Sequence, residues 1–223
     1  MTTMKLDFPL AIAESTRLRI RLASLALFAA GLCFVLYPAF RPFSDEASLQ
    51  GAEAFASGRW VVAHVLAIIG FVLLTYGLYG LHLRLQATGA ERTAFLALAF
   101  GGLGVGLTLP FYGAEVYGLH VIGLEAIRLQ NADLIRLADA IRSGPGLVMF
   151  VIGLVLLAVG AIYSCIAVWK SRVMAKWCAA PLTVGLLLYL PQFIAAQPMR
   201  IAHGALVAIG CMWLAAAMRT EKS

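Results

Sequence analysis

Apolar residues run along this chain in long blocks, interrupted by short polar stretches. The blocks fall at about 20–40, 60–82, 93–118, 146–169, 177–196 and 199–218. Each is about 20 residues long, the length at which an α-helix crosses the hydrocarbon core of a bilayer. The pattern predicts an all-α, polytopic membrane helical bundle of six transmembrane helices. No polar stretch is long enough for a second core, so residues 1–223 are expected to form a single integral membrane domain. The leading segment MTTMKLDFPLAIAESTRLRIRL is long for a signal peptide, and no small-residue cleavage pattern follows the first block. That block is therefore expected to be a retained helix.

Two connecting stretches are long enough to carry structure of their own. In HVIGLEAIRLQNADLIRLADAIRSGPG (120–146), Ile127, Leu134, Leu137, Ala138 and Ile141 recur at helical spacing. Glu125/Arg128, Asp133/Arg136 and Asp139/Arg142 stand three apart, as paired charges on a helix do. This predicts an amphipathic helix on the outer surface around 123–142, stopped by Ser143, Gly144, Pro145 and Gly146. It would pack against the bundle or cover something beneath it. RPFSDEASLQGAEAFASGR (41–59) is mildly acidic and partly helical in pattern. A faint repeat also shows: IGFVLLTYG (69–77) and IGLVLLAVG (152–160) stand 83 residues apart, as do His120 and His203.

Composition sharpens the class. The chain is 62% apolar and 13% charged, with mean hydropathy +0.90. A soluble domain keeps roughly a quarter of its residues charged, so a bilayer replaces water around most of this surface. A net charge of +6 and pI near 9.4 would suggest nucleic acid for a soluble chain. Here they reflect the positive-inside rule, and no nucleic-acid partner is expected. With both termini inside, Lys5, Arg17, Arg19, Arg21, Arg84, Arg92, Lys170, Arg172, Lys176, Arg219 and Lys222 face the cytoplasm. Only Arg41, Arg59, Arg128, Arg136, Arg142 and Arg200 face outward, and every lysine is inside. The expected orientation is N-in/C-in, in a bacterial-type inner (plasma) membrane. Cys33, Cys165, Cys178 and Cys211 lie singly in apolar segments and read as small buried side chains.

Ionisable groups at membrane depth are costly and face the bundle interior or water. On the second block His64, Thr75, Tyr79 and His82 share one face. The two histidines are five turns, about 27 Å, apart, so Thr75, Tyr79 and His82 extend a polar stripe from His64 toward the inner leaflet. On the third block Gly101, Gly104, Thr108, Tyr112 and Glu115 form one face. Small residues let a neighbouring helix approach there, and Glu115 lies just beyond Pro110. The sixth block opens PMRIAHGALVAIG, placing Arg200 and His203 on one face, and Gln192 stands near Pro191. His64, Tyr112, Glu115, Gln192, Arg200 and His203 thus fall at a common outer depth and are expected to line a ligand pocket.

Three arrangements of these groups are open: a structural Glu115–Arg200 ion pair, a divalent metal held by His64, Glu115 and His203, or one haem b between two histidines. Paired histidines at both faces, as in two-haem transmembrane cytochromes, are missing. The start of the last block is similar to the histidine helix of rhomboid proteases, but SGPG stands where those enzymes carry a G-x-S-G serine. No phosphate-binding loop, HExxH or dinucleotide fingerprint occurs. Catalysis is not expected. Ligand binding comes first, with a scaffold or accessory subunit and a small-solute or proton-coupled transporter as alternatives. The partners are the lipid bilayer and, in the scaffold case, other membrane subunits or a second copy of the chain.

Overall fold

The computed structural model describes residues 7–220, with side chains from Glu14 onward. Lys5 and Lys222 lie outside the described residues. The order is α1 (Asp7–Phe40), α2 (Leu49–Ala56), α3 (Gly58–Leu85), α4 (Glu91–Gly113), α5 (Leu119–Leu129), α6 (Arg136–Ile141), α7 (Gly144–Ser171), α8 (Ala180–Leu187) and α9 (Gln197–Arg219). There is no strand among the described residues. Five helical stretches are long and apolar enough to cross a membrane: Glu14–Phe40, Gly58–Leu85, Glu91–Leu129, Gly144–Ser171 and Gln197–Arg219. The protein is a multi-pass membrane protein. Leu103, Val155 and Ile209 point outward from its helices, as lipid-facing residues do.

The expected fifth helix, about 177–196, differs. Only Ala180–Leu187 is α-helical, flanked by turns and a 3-10 turn at Pro191–Ile194. Pro181 and Pro191 explain the break, because each removes an amide donor and restricts the residue before it. The segment still runs alongside its neighbours. The Thr183 hydroxyl donates to the Ala161 carbonyl of α7 at 2.9 Å, and the Tyr189 hydroxyl meets Tyr112 of α4.

The third crossing is longer than expected. Instead of ending near 118, α4 passes through a π-helical turn, Ala114–Gly118, directly into α5. The single amphipathic helix expected around 123–142 is correspondingly two pieces. Gln130 adopts a left-handed conformation (φ 50°) and ends α5, and a 3-10 turn at Ala132–Ile135 leads into α6. Of the three expected charge pairs, Glu125–Arg128 and Asp133–Arg136 form. Arg142 leaves Asp139 and turns inward.

Lipid tails are as apolar as leucine, so close packing rather than hydrophobic burial brings the helices together. Both copies of the 83-residue repeat use glycines seven apart for this purpose. Gly70 and Gly77 of α3 face Cys33 and Leu27 of α1, and Gly153 and Gly160 of α7 face Gly104 and Gly101 of α4. A Cβ on Gly160 would lie 2.6 Å from the Gly101 nitrogen, so that crossing has no room for a side chain. The main core, including Phe34, Phe71, Leu74, Leu157 and Leu182, runs between these helices. A second apolar cluster of Phe55, Trp60, Leu119, Ala126, Ile135 and Ala138 joins α2, α5 and α6 over one end. At that end the functional candidates gather.

Candidate functional site

Glu115 sits in the π-helical turn that follows Pro110 by one turn. Such turns are rare and frequent at functional sites. Its carboxylate is 7% exposed and receives a two-pronged grip from Arg142, Nε to Oε1 at 2.5 Å and Nη2 to Oε2 at 2.9 Å. The remaining Arg142 nitrogen donates to Glu46 Oε2 at 2.5 Å. Arg41 Nη2 donates to the other Glu46 oxygen at 2.7 Å. A chain of alternating charge, Arg41–Glu46–Arg142–Glu115, therefore links the loop after α1, the end of α6 and the third crossing. Two-pronged guanidinium–carboxylate contacts are among the strongest hydrogen-bonded pairs.

Aromatic rings frame this chain. The Arg41 guanidinium lies 4.7 Å from the Trp60 ring and 4.8 Å from Phe43, distances at which the ring faces attract a cation. Arg142 lies over Phe55 at 5.4 Å. Trp60 also donates its indole N–H to the Glu115 carbonyl, within the π turn, at 2.8 Å. Ser57 caps α3 and holds Trp60 in its first turn by accepting from the Trp60 amide.

Burial works to raise the Glu46 carboxyl, but the charges of Arg41 and Arg142 and their hydrogen bonds outweigh it and hold its pKa below the usual 4.5. Burial likewise opposes the charged form of Arg142, yet its bonds to Glu115 and the charges of both carboxylates raise its pKa. Both groups therefore stay charged as a pair.

His64 lies directly behind Glu115 and is 1% exposed. Its Nδ1 donates to the Trp60 carbonyl at 2.8 Å. Nε2 then faces Glu115 Oε2 at 3.7 Å, beyond hydrogen-bond length. Tyr112 is buried beside it, and its hydroxyl pairs with that of Tyr189 at 2.9 Å. Tyr37 packs edge-on to both His64 and Tyr112.

These groups border a cavity of about 460 Å³. Tyr37, Arg41, Glu46, Glu115, Arg142 and Arg200 give it polar walls, and Phe111, Phe150, Leu190 and Phe193 give it apolar ones. Three guanidinium groups and two carboxylates meet there. Arg41 and Arg142 are taken up by Glu46 and Glu115. Arg200 makes no ion pair among the described residues; it donates to the Phe193 and Ala195 carbonyls and lies 5.2 Å from the Phe43 ring. The expected Glu115–Arg200 pair is thus replaced by Glu115–Arg142. Backbone carbonyls satisfy part of the Arg200 fork and leave its charge unneutralised at the cavity wall.

Of the six expected pocket residues, Tyr112, Glu115 and Arg200 line this cavity. Gln192, Arg200 and His203 line a second, water-sized void of about 10 Å³, and Tyr37 and Arg200 border both. His203 Nε2 donates to the Gly185 carbonyl at 2.7 Å, which ties α9 to the end of α8. The metal set His64, Glu115 and His203 is not assembled: no group of three His, Cys, Asp or Glu suited to a metal occurs among the described residues. The polar stripe is not a connected path either. The Thr75 hydroxyl closes on the Phe71 carbonyl of its own helix, Tyr79 packs on Tyr76, and His82 packs on Phe95 with a buried, unpartnered Nδ1. His120, expected in a loop, donates from Nδ1 to the Phe55 carbonyl at 2.9 Å and clasps α5 to α2.

Arg41, Glu46, Trp60 and Arg142 were not among the expected site residues. Arg142 was legible only as the third of three surface pairs. Trp60 had one signal, its place in the first helical turn after a capping serine. Comparison with protein families, with curated proteins and with solved structures finds no match.

Proposed function

We propose that this is a ligand-binding protein of the inner membrane, with six crossings and both termini cytoplasmic, whose outward-facing cavity takes a small amphipathic anion. The single observation that carries this reading is the composition of the 460 Å³ cavity wall. Phenylalanine rings occupy one side, and the other presents the one guanidinium, Arg200, that no carboxylate among the described residues neutralises. A carboxylate ligand would meet Arg200 through two N–H donors while its apolar part displaced water from Phe111, Phe150 and Phe193. The volume falls within the range of ordinary small-molecule sites. The Arg41–Glu46–Arg142–Glu115 chain holds the polar wall rigid, which suits binding rather than catalysis. Six crossings are supported by the broken 177–196 segment, which carries the chain from the Ser171 end of α7 back to the start of α9. The orientation rests on the lysine and arginine distribution.

The test is thermal stabilisation of the full chain in detergent by octanoate and benzoate, with octanol and benzyl alcohol as neutral counterparts. The acids should raise the melting temperature and the alcohols should not. Arg200→Gln should abolish the difference, and Phe150→Trp, which fills the cavity, should block it by sterics. Equal responses to acids and alcohols, or a full response from Arg200→Gln, would refute the reading.

A further inference from the structure

At the opposite end of the bundle, where α1 begins and α9 ends, a second cavity of about 460 Å³ is lined by Arg17, Ile20, Arg21, Arg84, Met218 and Arg219. Four guanidinium groups from three helices converge on it. None forms an ion pair with a carboxylate among the described residues; the one recorded bond is from Arg84 to the Thr220 carbonyl at 3.1 Å. Like charges gathered together repel one another, so the cluster favours an anion set between them.

We infer that this arginine cradle binds the phosphate of an anionic phospholipid. Three features favour a lipid over a free ion. Met218, at the wall of the cavity, packs with Ala23 closely against Gly80 of α3, so the helices are shut together beside the cavity. Beside it on α1, Leu18, Leu22 and Leu25 are each more than half exposed and repeat at helical spacing, a strip for acyl chains next to the headgroup. All four cations are arginines, whose planar forks match phosphate oxygens two at a time. Lys170 and Lys176, on the same side of the protein, do not line the groove, and Lys176 instead lies over Trp169. Basic pockets between membrane helices are a recognised setting for anionic headgroups. This site is independent of the one proposed at the Glu115 end, and its test neither needs nor disturbs that ligand.

The experiment is native mass spectrometry of the full chain in detergent, titrated with phosphatidylglycerol, phosphatidylcholine or inorganic phosphate. Phosphatidylglycerol should remain bound where phosphatidylcholine is lost, and millimolar phosphate should not displace it. Arg21→Gln and Arg84→Gln should each weaken retention by about fivefold. Arg19→Gln, an equal loss of charge at an exposed position outside the groove, should change it less than twofold. Arg84→Lys keeps the charge, loses the fork and should fall between. Equal binding of the two lipids, an Arg19→Gln loss as large as that of Arg84→Gln, or full displacement by phosphate would overturn the assignment. The wild-type competition decides the matter even if a glutamine variant fails to fold.

Discussion

The two ends of this bundle hold cavities of equal size, about 460 Å³, built on opposite electrostatic plans. At the Glu115 end Arg41 is locked to Glu46 five residues on, and Arg142 to Glu46 and Glu115 from distant parts of the chain. At the other end Arg17, Arg21, Arg84 and Arg219 stand in a groove with no carboxylate partner among the described residues. The first plan ties elements together and is a cost to break. The second contributes little to folding and leaves its charges available. Burial separates the two: Arg41 and Glu115 are each less than a tenth exposed, whereas Arg17, Arg21 and Arg219 face solvent. A buried charge needs its partner inside the fold.

The contrast can be broken most severely at Arg142. Replacement by alanine strands Glu115 and half of the Glu46 grip, so Arg142→Ala should cost about 3 kcal/mol, the scale for removing one member of a buried pair. Chemical unfolding in detergent measures it, and a loss under 1 kcal/mol would mean that water already neutralises the pair. Next come the neutral clasps around the chain of charges. Tyr112→Phe leaves the Tyr189 hydroxyl without its partner, and Trp60→Phe leaves the Glu115 carbonyl without its donor; each should cost about 1–2 kcal/mol.

Acid should sharpen the comparison further. The Glu46 pKa is depressed in the folded protein, so its contribution is complete above about pH 4.5 and is lost as pH falls through the lower folded value. Melting temperature should drop in that window, and Glu46→Gln should flatten the drop. The arginine groove has no titrating counterpart, so Arg84→Gln should leave the shape of the profile intact. The smallest effect belongs there: Arg84→Gln should alter stability by no more than about 0.5 kcal/mol. A loss comparable to that of Arg142→Ala would erase the distinction between the ends.

Hydrophobic blocks made most of the fold legible, because block length alone distinguishes a crossing helix. The departures have local causes. The expected crossing at 177–196 is broken at Pro181 and Pro191, and a hydropathy pattern does not register backbone donors. The continuation of α4 into α5 through the π turn was obscured because the apolar block gives way to the amphipathic pattern near 118, where a hydropathy reading ends the crossing. At the site, Tyr112, Glu115 and Arg200 border one cavity, Gln192 and His203 border another, and His64 borders neither. Partnership was not legible in the sequence. Asp139 and Glu115 offered Arg142 equal charge, and only the fold shows that Asp139 is exposed while Glu115 is buried within reach of the Arg142 fork.

The π-helical turn at Ala114–Gly118 has a consequence for how the third crossing could vary. A π turn carries one residue more than the α turn it replaces. Excising a single residue there would let α4 and α5 run on as one regular α-helix, and because the wider turn already absorbs the extra residue, everything beyond the deletion would keep its facing. His120 would keep the Phe55 carbonyl and Gly123 its close seat against α2, so the change would fall on the turn that carries Glu115. The extra residue therefore acts locally, on how Glu115 and the carbonyl bound by Trp60 are presented, and leaves the cover of the cavity where it stands.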